Sequence, residues 1–274
     1  MSPKKVAMLS SYKNLSTTRD WLWKQTPQNF GIWKNIQILA NASEPDFLLL
    51  YQYDLNRYLA KSDNKNKFGL NSGLFSKLTQ KYFPSKPITS KNQVSSLIQQ
   101  VPQENTIFLL REPPLPEILK INQRNYQLAS KYCGYVSGAD EFAPTPDYMP
   151  AIWYVNRPFA DLDSGNIPEK LQPCSWITSG IARTQNHRQR LAFLKMLQDS
   201  DVKFDLYGRG LPEWSHSLGS VENKWNAIAP YYYNLAIENY AENDLYVSEK
   251  LWDALLSWSL PIYYGGSAAD KLLP

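Results

Sequence analysis

Short apolar runs alternate with segments of helical periodicity along most of this chain. Runs typical of strands cover residues 6–10, 36–39, 47–51, 106–110 and 135–136. Segments 94–101 and 117–131 have the spacing of helices. Strands that alternate with helices are typical of a doubly wound α/β domain. The first half therefore predicts such a domain.

The second half repeats the alternation after a change in composition. Strands are expected over 175–181, 202–207, 234–237 and from Leu260, with a helix over 188–197 and another after Ser248. Between the halves, residues 139–173 contain six prolines and few periodic runs. We place the domain boundary there, which gives domains of residues 1–157 and 158–274.

The helix after Ser248 has an unusual first turn. Its apolar positions, 251, 252, 255, 256 and 258, lie on one broad face, and Ser248 is a plausible N-cap. Lys250 then falls in the first turn, where a cation opposes the helix dipole and where an anionic ligand would be favoured. Spacing alone favours an ordinary crossover helix with a solvated Glu249–Lys250 pair.

Composition and charge argue against several functional classes. The net charge of +4 is small and the lysines are scattered, so nucleic acid is not an expected partner. The cysteines and histidines (Cys133, Cys174, His187, His216) form no metal-binding pattern, and free buried thiols are expected. Since no apolar run reaches about 18 residues, we expect no transmembrane segment. The short apolar run near the start is no signal peptide, so a cytoplasmic protein is expected, with peripheral membrane contact left open.

Three consecutive stretches resemble the signature of the α-1,3-fucosyltransferases, glycosyltransferase family 10. They are Asn234-Leu-Ala-Ile-Glu-Asn239, Tyr246-Val-Ser-Glu-Lys250, and Leu260-Pro-Ile-Tyr-Tyr-Gly-Gly266. Ser248 replaces the usual threonine and Ile237 the usual phenylalanine. The resemblance implies the GT-B fold, two Rossmann-like domains facing a central cleft, with an N-terminal acceptor domain and a C-terminal nucleotide-sugar domain. It also implies a bacterial-type soluble member. Because family members continue past this last strand, either the sequence is a fragment or the C-terminal domain of this member is truncated.

The resemblance also assigns roles to individual residues. Glu112, in Phe108-Leu-Leu-Arg-Glu-Pro-Pro114, corresponds to the catalytic base; by position alone it is a turn-exposed glutamate. Arg188 is the first choice for the arginine on the donor diphosphate, with Arg190 as the alternative to it, and both could simply be solvated. The remaining residues implied in donor binding are Glu238, Asn239, Tyr246, Glu249 and Lys250. For Tyr246, a packed aromatic side chain is an equal alternative.

The resemblance implies an inverting transfer of L-fucose from GDP-fucose to a hydroxyl of an acceptor glycan. The expected product is an α-1,3 linkage to a GlcNAc- or Glc-type sugar. No metal or other cofactor is expected, because two cations and a helix end can stabilise the leaving diphosphate. Asp161-Leu-Asp163 spells the metal motif of another transferase class, but its place in the proline-rich segment indicates a chance match on a solvated loop. Two alternatives stay open: a related inverting transferase with another nucleotide sugar, and an inactive nucleotide-sugar-binding protein of the same fold.

Overall fold

The computed structural model describes residues 2–10, 25–28, 31–39, 42–52, 55, 91–148 and 153–273. The chain divides into two compact units, Met1–Asp147 and Tyr148–Pro274. The division lies within the proline-rich segment, whereas the sequence placed the boundary after residue 157. Residues 153–157 lie with the second unit because the backbone N–H groups of Tyr154 and Val155 donate to the buried Asp253 carboxylate.

The first unit is built on a sheet whose described strands have the order β2-β3-β1-β4-β5-β6-β7. The strands are β1 Lys4–Leu9, β2 Ile32–Trp33, β3 Ile36–Leu39, β4 Phe47–Tyr51, β5 Thr106–Leu110, β6 Tyr135–Gly138 and β7 Thr145–Pro146. Among the residues described in this unit, the helices are α1 Lys91–Gln100 and α2 Leu119–Ala129. The β2–β3 pair is antiparallel and the other pairs are parallel.

Alternating apolar side chains on the central strands form the core of this unit. Leu48 and Leu50 of β4 and Phe108 and Leu110 of β5 are almost completely buried. Tyr126 of α2 packs edge-on against Phe108, with ring centroids 6.4 Å apart. The predicted strands 36–39, 47–51 and 106–110 are confirmed residue for residue.

The second unit is built on four parallel strands in the order β11-β10-β8-β9. Its strands are β8 Gln172–Ser179, β9 Asp205–Arg209, β10 Tyr231–Ile237 and β11 Leu260–Tyr264. Its helices are α3 Phe159–Asp163, α4 Gln185–Gln198, α5 Glu249–Leu256 and α6 Ala268–Leu272. Trp176 is fully buried between Phe193 of α4 and Phe204. The predicted α/β class, with mostly parallel sheets, is confirmed in both units.

Three local expectations were wrong in detail. The strand predicted over 202–207 begins only at Asp205, because Val202 and Lys203 are exposed. Trp258, placed on the apolar face of α5, lies beyond the helix at a φ of 58° and is 48% exposed. Asp161 and Asp163 belong to the short helix α3 rather than to a loop, and Asp161 pairs with Arg157 at 3.4 Å.

The structure also bears on the expectations about the cysteines and about transmembrane helices. Cys133 and Cys174 are free and buried, as predicted. Among the described residues, every helix falls short of the length and apolarity that a membrane-crossing helix requires.

Candidate functional site

The N-terminus of α5 lies at the carboxyl edge of the second sheet, next to the end of β10. Ser248 is the N-cap, as predicted, and its Oγ accepts a hydrogen bond from the backbone N–H of Lys250 at 3.3 Å. A serine hydroxyl in this position satisfies one of the backbone donors that every helix start leaves unpaired. The capped turn therefore fixes the backbone that carries Glu249 and Lys250.

Glu238, which follows β10 directly, is bound to this helix start. Its carboxylate accepts hydrogen bonds from the Ser248 N–H and from Ser248 Oγ, both at 2.7 Å. It also accepts from Lys250 Nζ at 3.0 Å. The cation at the helix start therefore has a carboxylate partner within the protein. Glu238 therefore compensates the unfavourable position of Lys250 at the positive end of the helix. The Lys250 side chain is still 20% exposed.

A second ion cluster lies on the same helix and was not foreseen. Lys224 Nζ donates to Asp253 Oδ2 at 2.7 Å and to Glu249 Oε1 at 3.3 Å. Burial disfavours the charged lysine, but the two carboxylates outweigh it, so the pKa of Lys224 is raised. Burial raises the pKa of Asp253 above its ordinary value. An aspartate among the apolar positions of α5 was a signal for such a cluster, whereas nothing in the sequence marked Lys224 as its partner.

Arg190 is a buried side chain that joins two strand ends. It is 5% exposed and donates to Asn239 Oδ1, to Ser179 O at 2.7 Å and to Ile181 O at 3.3 Å. Burial lowers its pKa to about 10. Because Ser179 ends β8 and Asn239 follows β10, Arg190 holds together the loops after two neighbouring strands.

Arg188 differs from Arg190 in its surroundings. It lies in the first turn of α4, a helix that Thr184 and His187 cap reciprocally. Its side chain is exposed, with a weak hydrogen bond to Ala182 O at 3.4 Å. An exposed guanidinium at a helix start is suited to bind phosphate, because its planar fork can donate two hydrogen bonds at once.

Tyr246 is 6% exposed and packs edge-on against Tyr240, with ring centroids 6.2 Å apart. Its backbone N–H donates to Asn243 Oδ1 at 2.9 Å. Burial and ring packing agree with a packed aromatic side chain, the alternative weighed for this position.

Glu112 lies in the first unit, two residues beyond β5, and is partly buried. The peptide before it is fixed, since the Arg111 N–H donates to Gln52 Oε1 at 2.6 Å. The base expected from the resemblance therefore follows a buried strand, at the sheet edge where α/β proteins bind ligands.

The structure brings together Glu238 with Lys250, and Arg190 with Asn239, among the residues expected to bind the donor. It gives Glu249 an internal partner in Lys224. Within the described part of the chain, there is no group of three or more histidine, cysteine, aspartate or glutamate side chains that could hold a metal ion.

Several known proteins are similar to this chain. Residues 167–274 match the family model described as glycosyltransferase family 10 (fucosyltransferase) C-term. A crystal structure of an α1,3-fucosyltransferase with GDP is 16% identical, with a TM-score of 0.39, and the alignment covers 98% of this chain and 70% of that one. The same type of enzyme with GDP-fucose is 17% identical, with a TM-score of 0.39 and coverage of 98% and 70%.

The family match spans most of the second unit, from before β8 to the end of the chain. The matched residues therefore include the ends of β8 and β10, the Ser248 cap and the first turn of α5. Residues 167–274, and with them most of the second unit, are thus similar to the C-terminal part of glycosyltransferase family 10, the fucosyltransferases.

Proposed function

We propose that this protein transfers L-fucose from GDP-fucose to a hydroxyl group of an acceptor glycan, with inversion and with formation of an α-1,3 linkage. The observation that carries the proposal is the family match over residues 167–274, which includes the capped helix start with Lys250. The acceptor is a glycan with a GlcNAc- or Glc-type sugar.

The reaction exchanges one bond at the anomeric carbon of fucose for another. The acceptor oxygen forms a bond to that carbon while the bond to the diphosphate oxygen breaks, and GDP leaves. Glu112 takes the proton of the acceptor hydroxyl, the task of a general base. Negative charge grows on the diphosphate in the transition state, so fixed cations beside it lower the barrier.

Among the donor-binding candidates, Arg188 and Lys250 are the two cations we assign to the diphosphate. Arg188 has an exposed guanidinium, and Lys250 adds a full charge to the positive end of α5. Glu249 and Asn239 are assigned to the sugar and the ribose, whereas Tyr246, buried against Tyr240, is assigned a packing role. Arg190 and Glu238 act by holding Asn239 and Lys250 in place, a role that their internal hydrogen bonds support.

No metal ion takes part in the proposed reaction. Lys250, Arg188 and the start of α5 supply the positive charge that a divalent cation supplies in metal-dependent transferases.

The test is an assay of fucose transfer with GDP-fucose and N-acetyllactosamine, with lactose as a second acceptor. Glu112→Gln removes the base and should lower kcat by about 10²–10⁴-fold while GDP binding is unchanged. Glu104→Gln is a matched control, because this glutamate is exposed and belongs to a different turn of the same unit. An unchanged kcat in Glu112→Gln would exclude Glu112 as the base.

A nucleotide-sugar-binding protein without transferase activity is the second candidate. The internal partners of Lys250, Glu249 and Arg190 favour it, because a donor would have to compete with them. Thermal-shift measurements with GDP-fucose, GDP-mannose and UDP-sugars identify the nucleotide sugar. Binding of GDP without any turnover of GDP-fucose would decide for this second candidate.

A further inference from the structure

Gln52 lies at the carboxyl edge of the first sheet, beside the loop that carries Glu112. Strand β4 ends at Tyr51, which pairs with Leu109 of the parallel strand β5. Gln52 therefore directly follows β4, just as the Arg111–Glu112 turn follows β5. Carboxyl ends of neighbouring parallel strands are where α/β domains bind their ligands.

The backbone of Gln52 has an uncommon conformation. Its φ is 50°, in the left-handed region that glutamine rarely adopts. Such a conformation is strained for a residue other than glycine, and residues of this kind cluster at functional sites. The backbone N–H of Gln52 donates to Leu109 O at 2.8 Å, so the strained residue is held against β5.

The two ends of the Gln52 amide have different surroundings. Oε1 accepts a hydrogen bond from the Arg111 N–H at 2.6 Å, next to Glu112 in the chain. Nε2 is buried and has no hydrogen-bond partner among the residues that the structure describes. A buried donor without an acceptor is destabilising, so Gln52 combines backbone strain with an unused donor.

The side chain that follows strand β6 differs from Gln52 in its hydrogen bonding. Asp140, which follows β6, is fully buried, and its carboxylate is occupied on both oxygens. Oδ2 accepts from Tyr126 OH at 2.7 Å and Oδ1 from the Phe142 N–H at 2.9 Å. The role of Asp140 is therefore structural, whereas Nε2 of Gln52 can donate a hydrogen bond to a ligand.

We propose that Gln52 is an acceptor-binding residue whose Nε2 donates a hydrogen bond to a hydroxyl oxygen of the acceptor sugar. That hydroxyl neighbours the one whose proton goes to Glu112, so one glutamine orients the sugar and fixes the peptide before the base. The proposal rests on the proposed function. Because Gln52 is only 1% exposed, the sugar displaces a neighbouring side chain when it binds.

The substitution Gln52→Glu separates the two ends of the side chain. The glutamate keeps an oxygen for the Arg111 N–H but replaces the donor by a second acceptor. We expect the KM for N-acetyllactosamine to rise by about 10- to 100-fold, which corresponds to the loss of about 1.4–2.8 kcal/mol from a buried hydrogen bond. The KM for GDP-fucose and the slow hydrolysis of GDP-fucose by water should not change. Gln100→Glu is the control, since it introduces the same charge at an exposed glutamine of the same unit.

A binding measurement keeps this test independent of turnover. Saturation-transfer NMR with N-acetyllactosamine, without any nucleotide sugar, should show binding to the wild type and to Gln100→Glu, and weaker binding to Gln52→Glu. Equal binding to all three proteins, or no binding to any, would overturn the proposal for Gln52. Absence of GDP-fucose turnover by the wild type, with the NMR difference intact, would instead refute the proposed reaction and leave a sugar-binding site at Gln52.

Discussion

Glu238 and Lys250 form an ion pair at the start of α5, with 3.0 Å between Oε2 and Nζ. The glutamate side chain is fully buried and the lysine is largely so. The pair explains how a lysine is tolerated at the positive end of a helix, since its carboxylate partner is held by the Ser248 cap. A donor diphosphate bound here would share Lys250 with Glu238.

Replacement of Lys250 should therefore affect both stability and activity. Lys250→Ala leaves the buried carboxylate of Glu238 without its cation, and we expect a loss of about 3 kcal/mol in the free energy of unfolding. The loss of positive charge at the leaving group should lower kcat/KM by about 10²–10³-fold. Urea unfolding and the transfer assay measure the two effects. Lys271→Ala, which removes an exposed lysine of the same unit, is the control.

The double variant Lys250→Ala with Glu238→Gln separates the two effects. A neutral amide in place of the buried carboxylate should restore part of the stability, because no buried charge is then unpaired. Activity should stay low. Recovery of activity together with stability would show that Lys250 acts only through the fold.

Arg188 and Arg190 should give opposite results when each is changed to alanine. Arg190→Ala leaves Asn239 Oδ1 and Ser179 O without their donor, and we expect destabilisation of at least about 2 kcal/mol. Arg188→Ala removes an exposed side chain and should change stability by less than about 0.5 kcal/mol, but weaken GDP binding. Urea unfolding and calorimetric titration with GDP distinguish them. A stable Arg190→Ala protein that binds GDP poorly would reverse the assignment.

The proposed chemistry makes the reaction independent of divalent cations. Excess EDTA should leave the initial rate of fucose transfer unchanged, because Lys250, Arg188 and the helix start stabilise the leaving diphosphate. The control is a back-titration with Mg²⁺ or Mn²⁺ in the same samples. A rate abolished by EDTA and recovered with either ion would contradict the metal-free mechanism.

Asp140 should make the stability of the first unit depend on pH. Burial raises the pKa of its carboxyl above the ordinary value of 3.8. Between the unfolded and the folded pKa, the native state binds more protons than the unfolded state, so stability falls as pH rises. The contribution is fully present below the unfolded pKa and is lost as pH passes the folded one.

Asp140→Asn keeps an oxygen for Tyr126 OH and cannot titrate. The stability of the wild type relative to this variant should therefore fall with rising pH, by at most about 1.4 kcal/mol per pH unit, and then level off. Denaturant unfolding of both proteins across the acid range measures it. A difference that is constant with pH, or that grows in favour of the wild type, would contradict the assignment.

The sequence determined the central strands of both units and the position of the helix that carries Lys250. Apolar periodicity is a local property, so strands 36–39, 47–51 and 106–110 and the N-cap at Ser248 could be predicted from neighbouring residues alone. The signature from Asn234 to Gly266 likewise pointed to the family whose model matches residues 167–274.

Only the tertiary structure decided which charged groups face one another. Lys224 meets Asp253 across 29 positions, and Gln52 reaches the Arg111 backbone across 59. Such contacts depend on strand order and on which side chains burial forces together, and neither is encoded in a local pattern. The sequence therefore marked Lys250 as an unbalanced cation, and the fold supplied Glu238 as its counterion, because the loop after β10 lies against the start of α5.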